Sequence, residues 1–187
     1  YRRGNFNGTG DQLIVDALME VQGADLAFSP GFRWGTTLLP GQPITREWLM
    51  DMTATTYSYA TLSEMKGEMI KTVLEDVCDN LFNPDPYYQQ GGDMVRVGGL
   101  AYICNPTAAM GQRISDMRLK GELIDPAKTY KVAGWAPVAE DAAKAGNPMV
   151  WDQVEQWLKA RGGKIAPRKV NMPKLVGGVL PNPGFAG

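Results

Sequence analysis

The chain has 187 residues, 44% of them hydrophobic, with 19 basic against 20 acidic side chains and a net charge of −1. That is enough apolar material for one buried core. The near-neutral balance argues against a nucleic-acid partner, which needs a basic face, and no window is long and apolar enough for a membrane span. Histidine is absent, so an imidazole metal site or a Ser-His-Asp triad has no material in this chain.

Residues 1–10 read as a loop with an anion-friendly start, Arg2 and Arg3. Thr9 or Asp11 is expected to cap a helix over 11–21, where Leu13, Ile14, Ala17, Leu18 and Val21 recur at helical spacing. Gly23 closes it, and a strand over 24–28 follows. Ser29-Pro30-Gly31 must end that strand, because proline cannot donate to a ladder and glycine admits a turn. Arg33 and Trp34 are thereby delivered just beyond a strand end, a common place for a binding group.

Thr45 is expected to cap a short helix over 46–52, and the alternating β-branched and aromatic run 53–62 reads as a strand. A long helix is predicted over 68–81, its stripe made of Met69, Ile70, Val73, Leu74, Val77 and Leu81, with Cys78 beside it. Residues 83–93 form a long loop of aromatic and amide side chains ending in Gly91-Gly92-Asp93; such loops are either functional or plain connectors. A strand over 94–104 carries a kink at Gly98-Gly99. A hairpin about Lys120-Gly121, a strand over 129–134 ending in Trp135-Ala136-Pro137, and a helix over 149–161 complete the elements. Residues 171–187 are expected as an extended tail beyond a domain of residues 1–170. The start at Tyr1, with no signal peptide in view, reads as a fragment or a processed product.

Helices and strands mix without a strict βαβ rhythm, so the class is α+β with a mixed sheet and packed helices. Three loops, at Arg33-Trp34, Gln89 to Asp93 and Trp135 to Pro137, each lie beside a predicted strand. If they converge they form a pocket with an arginine, aromatic walls and exposed amides, suited to a small anion attached to something larger. The alternative is that Arg33 pairs with a surface carboxylate and Trp34 fills a core gap. No nucleophile stands beside a base, and no carboxylates cluster as metal ligands. Cys78 and Cys104 flank apolar stretches that should pack together, helix against strand; two buried thiols or one disulfide both fit.

The runs Gly-Thr-Gly-Asp-Gln-Leu-Ile, Gly-Ala-Asp-Leu-Ala-Phe-Ser-Pro-Gly-Phe-Arg, Leu-Pro-Gly-Gln-Pro-Ile-Thr, Met-Lys-Gly-Glu-Met-Ile-Lys-Thr-Val-Leu-Glu and Leu-Lys-Gly-Glu-Leu-Ile-Asp-Pro-Ala-Lys-Thr-Tyr-Lys-Val-Ala occur in that order. Together they resemble the C-terminal domain of the 5′-nucleotidase family, over roughly residues 10–160. The stretches 1–9, 87–94 and 133–138 look most like the SoxB-type branch of that family, the dimanganese thiosulfohydrolases of periplasmic sulfur oxidation.

The resemblance implies a 5′-nucleotidase C-terminal-domain-like fold that contributes substrate contacts to a two-domain hydrolase. It implies two Mn ions held by a separate N-terminal metallophosphatase-like domain, and no cofactor in this chain, which alone is expected to be inactive. It implies a cysteine S-sulfonate on the arm of the SoxYZ carrier protein as substrate, sulfate as the product and the periplasm as the location. Arg33 matches a family arginine facing the substrate, and Arg2 and Arg3 lie near other family arginines. Trp34, Tyr57, Gln90, Gly91, Gly92, Asp93 and Trp135 complete the candidate substrate-binding set.

Nucleotidases of the family stack the base between two phenylalanines, in a Pro-Phe-x-Asn stretch and before a Gly-Gly-Asp loop. Here those regions read Thr55-Thr56-Tyr57-Ser58-Tyr59 and Trp135-Ala136-Pro137-Val138, which speaks for a SoxB-like substrate. The rivals are a nucleotidase-type phosphoesterase domain with an unusual base site and a non-catalytic module that docks a peptide.

Overall fold

The structure is a computed structural model that describes residues 6–30, 37–53, 58–90, 93–135, 146–166 and 168–177. Helix α1 (Thr9–Gln22) leads into strand β1 (Leu26–Ser29), and α2 (Arg46–Thr53) into β2 (Thr61–Lys66) and α3 (Gly67–Phe82). Strands β3 (Arg96–Gly98), β4 (Leu100–Cys104), β5 (Ile114–Leu119), β6 (Glu122–Leu123) and β7 (Thr129–Gly134) follow. Helix α4 (Val150–Ala160) and strand β8 (Lys174–Leu175) close the described part.

Two four-stranded sheets result, in the orders β2-β7-β1-β3 and β6-β5-β4-β8. In the first, β1 runs parallel to β7 and antiparallel to β3, so the sheet is mixed, as the α+β reading expects. Its central strands are buried on both faces, and alternation sorts their side chains. Leu26, Phe28, Tyr130 and Val132 join α3 and the inner face of the second sheet in one core cluster. Ala27 and Ala133 face the other way, into a cluster with α1, α2 and α4.

The Gly98-Gly99 kink is the point where the chain leaves one sheet for the other, because β3 and β4 belong to different sheets. Gly99 sits at φ 79°, in the left-handed region. A Cβ on Gly98 would come within 2.9 Å of Val15 on α1, so the glycine pair also lets the helix lie close on the strand.

Several expectations shift. The N-cap of α1 is Gly8, not Thr9 or Asp11, and Asp11 lies inside the first turn. Thr45 does cap α2, its Oγ accepting from the Trp48 amide at 3.1 Å. Thr53 belongs to α2 and bonds back to the Leu49 carbonyl at 2.7 Å; of the strand expected over 53–62, residues 54–57 lie outside the described residues, and strand β2 covers Thr61 and Leu62. Propensity favoured a strand there, and burial of Thr53 at the end of the helix overrode it. On α3, Met69 is exposed while Ile70, Leu74, Cys78 and Leu81 are buried. On α1, Val21 likewise faces outward.

Beyond residue 170 the chain remains part of the domain as far as it is described. Strand β8 pairs in parallel with β4. The Asn171 side chain donates to the carbonyls of Val97 and Leu100 at 2.8 and 2.9 Å, bracketing the glycine switch between the sheets.

Candidate functional site

The parallel strands β1 and β7 end side by side, with Phe28 level with Gly134. Gly134 sits tightly there, since a Cβ would stand 3.1 Å from the Phe28 carbonyl oxygen and 3.3 Å from the Thr61 hydroxyl. The carboxyl ends of parallel strands are where open α/β sheets place ligands. The first turn of α1 reaches the same edge, because the Ser29 hydroxyl donates to Asp11 at 3.1 Å.

Arg96 ties this edge together. It stands opposite Ser29 in the β1–β3 register and is only 4% exposed. Its Nε donates to Asp11 at 3.2 Å, one terminal nitrogen to Asp93 at 3.0 Å, and the other to the Met94 carbonyl at 2.9 Å. One guanidinium thus fixes the start of α1, the end of the glycine-rich loop and the start of β3. The guanidinium offsets part of the charge of the two carboxylates it holds.

Beside it, a cavity of about 580 Å³ opens at the start of α1, lined by Gly8, Gly10, Ile44, Trp48, Met52 and Arg168 among others. Gly8 offers no side-chain oxygen to the first-turn amides, and a Cβ on Gly10 would press within 3.1 Å of the Met52 methyl. Apolar walls beside amides without a side-chain cap suit a ligand with an anionic end and an apolar body. Arg168 pairs with Asp16 at 2.7 Å.

Of the residues the sequence singled out, Arg2, Arg3, Arg33, Trp34, Tyr57, Gly91 and Gly92 lie outside the described residues. Asp93 is buried and engaged by Arg96. Gln90, the neighbouring loop residue, is exposed. Trp135 is fully buried in the core cluster shared with α1 and α4. The loop before Asp93 is ordered by its own side chains: Asn83 accepts from the Asp85 amide at 3.0 Å, Asp85 from the Tyr87 amide at 2.9 Å, and Gln89 donates to the Asn83 carbonyl at 2.7 Å. Tyr87 and Tyr88 stand exposed on the resulting short 3-10 turn.

Asp11, Ser29 and Arg96 were missed as site residues by the sequence reading. The available signal was Arg96 itself, a lone cation in the apolar run Met94-Val95-Arg96-Val97 with an aspartate three residues before it. Such a charge is buried only with a partner.

Among the described residues, no group of three or more acidic or cysteine side chains could hold a metal ion.

The fold is shared with known proteins. The sequence model for the 5′-nucleotidase, C-terminal domain matches residues 7–145. Among solved structures, the sulfate thiohydrolase SoxB of Thermus thermophilus, determined with glycerol, superposes with a TM-score of 0.81 at 36% identity, covering 93% of this chain and 33% of that one. A 5′-nucleotidase precursor from Thermus thermophilus gives a TM-score of 0.72 at 17% identity, over 95% of this chain and 37% of that one. The NAD nucleotidase of Haemophilus influenzae gives 0.70 at 19% identity, over 90% and 33%. The two nucleotidases share the fold. The chain spans about a third of the length of each of these structures. No curated protein matches the chain.

Proposed function

The chain belongs to the 5′-nucleotidase C-terminal domain family, and from that premise we propose that it is the substrate-recognition domain of a SoxB-type hydrolase. Its substrate is a cysteine S-sulfonate on the arm of the SoxYZ carrier protein, in the periplasm, and its product is sulfate. The observation that carries this reading is the sequence identity with SoxB, which is about twice that of the nucleotidases that share the fold. The missing stacking phenylalanines point the same way.

In this reading two manganese ions on a separate catalytic domain supply the Lewis acidity for hydrolysis. The present chain supplies the cations and the shape that hold the sulfonate, and by itself it has no hydrolase activity. Arg33 is the principal sulfonate cation, with Arg2 and Arg3 close by in the binding set. Trp34, Tyr57 and the loop Gln90, Gly91 and Gly92 line the approach. Arg96 holds Asp93, the next residue in the chain. A guanidinium grips two oxygens of a tetrahedral anion at once, which an ammonium cannot reproduce.

The test is sulfate release from S-sulfonated SoxYZ by the two-domain enzyme that contains this chain, compared with hydrolysis of 5′-AMP. Arg33→Lys is expected to lower kcat/KM on the carrier by about tenfold to a hundredfold, the equivalent of roughly 1.5–3 kcal/mol for a lost charge-assisted bond. Metal content and melting temperature should stay unchanged. Preferential hydrolysis of 5′-AMP by the wild-type enzyme would replace this reading with the nucleotidase one. Full activity of Arg33→Lys on the carrier would remove Arg33 from the site.

A further inference from the structure

We propose that Cys78 and Cys104 form an intramolecular disulfide when the chain folds in an oxidising environment, stapling α3 to β4 across the core. The two sulfurs stand 3.6 Å apart, already in contact, and both residues are fully buried. They lie on different elements, 26 residues apart in sequence. Closing from contact to a bond needs only about 1.5 Å more, within reach of a small rotation at each side chain.

Flanking contacts fix the face on which the pair meets. One turn before Cys78, the buried Glu75 carboxylate accepts the amides of Gly111, Arg113 and Ile114 at 2.9, 3.2 and 2.8 Å. One residue after it, Asp79 pairs with the buried Arg113. Ile114 in turn stands opposite Cys104 in the β4–β5 register. The helix therefore has one rotational setting against the hairpin, and that setting puts sulfur on sulfur.

The chemistry closes on two electrons. Two S–H bonds break, one S–S bond forms, and two protons and two electrons pass to a disulfide oxidant, which is reduced to two thiols. The route runs through a mixed disulfide with that oxidant. No room for such an adduct exists around two fully buried sulfurs, so the exchange precedes the docking of α3 on β4. In the folded dithiol, the hydrogen bond to Cys104 and burial both push the Cys78 thiol far above its ordinary pKa, which suppresses the thiolate needed for attack. The pair is set during folding and is inert afterwards. The inference rests on this geometry and does not depend on the proposed function.

The experiment refolds the 187-residue chain from guanidinium in a mixture of oxidised and reduced glutathione, and separately in dithiothreitol. Each product is unfolded in the presence of an alkylating maleimide and weighed. The glutathione product should take no label and weigh two hydrogens less, and the dithiothreitol product should take two labels. The oxidised form should melt about 5–10 °C higher, as expected for a closed loop of this length in a chain of this size. Where refolding is poor, periplasmic and cytoplasmic expression of the same chain supply the two arms. Two labels in the oxidised arm, or glutathione adducts in place of an internal bond, would overturn the proposal. Cys104→Ala should never lose two hydrogens under the same conditions, its single thiol ending either labelled or as a glutathione adduct.

Discussion

Replacing Arg96 by methionine is the sharpest test of how the site edge is built. The substitution keeps much of the length of the side chain and removes its charge and all its donors. Asp93, whose side chain is 1% exposed, and Asp11, at 15%, then face each other's elements without the cation they share. Removing the cation from a buried ion pair costs about 3–5 kcal/mol, because the carboxylates stay out of water without its charge. An unfolding entropy of about 0.4 kcal/mol/K for a chain of this length converts that to a fall of about 8–13 °C in Tm. Thermal unfolding followed by circular dichroism, with urea titration as a second measure, reads the effect. Adding Asp93→Asn to Arg96→Met should recover part of the loss, since one buried charge becomes a neutral amide. If Arg96→Met melts within about 2 °C of the parent, the cluster behaves as an exposed surface pair, and the argument that Arg96 organises the site fails.

Glu75→Gln should lower Tm by about 3–8 °C, since its amide group turns a donor toward one of three backbone donors, leaving it unpaired at about 1–3 kcal/mol; calorimetry at neutral pH checks this, and an unchanged Tm would mean that the 111–114 loop finds other acceptors. Asp79 is held below the usual carboxylate range first by Arg113 and then by the Asn83 amide. Its folded pKa lies below its unfolded one, so its contribution is complete above the unfolded pKa of about 3.8 and fades as pH falls through the folded value. Asp79→Asn should therefore flatten the stability–pH curve below about pH 4 in acid titrations of unfolding, and a curve identical to the parent's would refute the pairing.

What the sequence determined by itself was local and periodic. The stripes of α1 and α3, the existence of α4, the Thr45 cap, the turn at Lys120-Gly121 and the kink at Gly98-Gly99 follow from side-chain spacing and from backbone angles that few residues tolerate. The order of short motifs also carried the family, since the matched stretch depends on residue identity and not on packing. Tertiary structure decided the rest. That Gly99 separates two sheets, and does not merely bend one, depends on α1 and Asn171 pressing on it from segments far away in sequence. Thr53 is helical because burial at the end of α2 outweighed its preference for a strand. Asp11, Ser29 and Arg96 became one cluster only when two strands and a helix met at one edge, up to 85 residues apart in the chain. A buried charge announces that it needs a partner, but only the fold supplies the partner's identity, because the energy that selects it is the cost of removing both groups from water together.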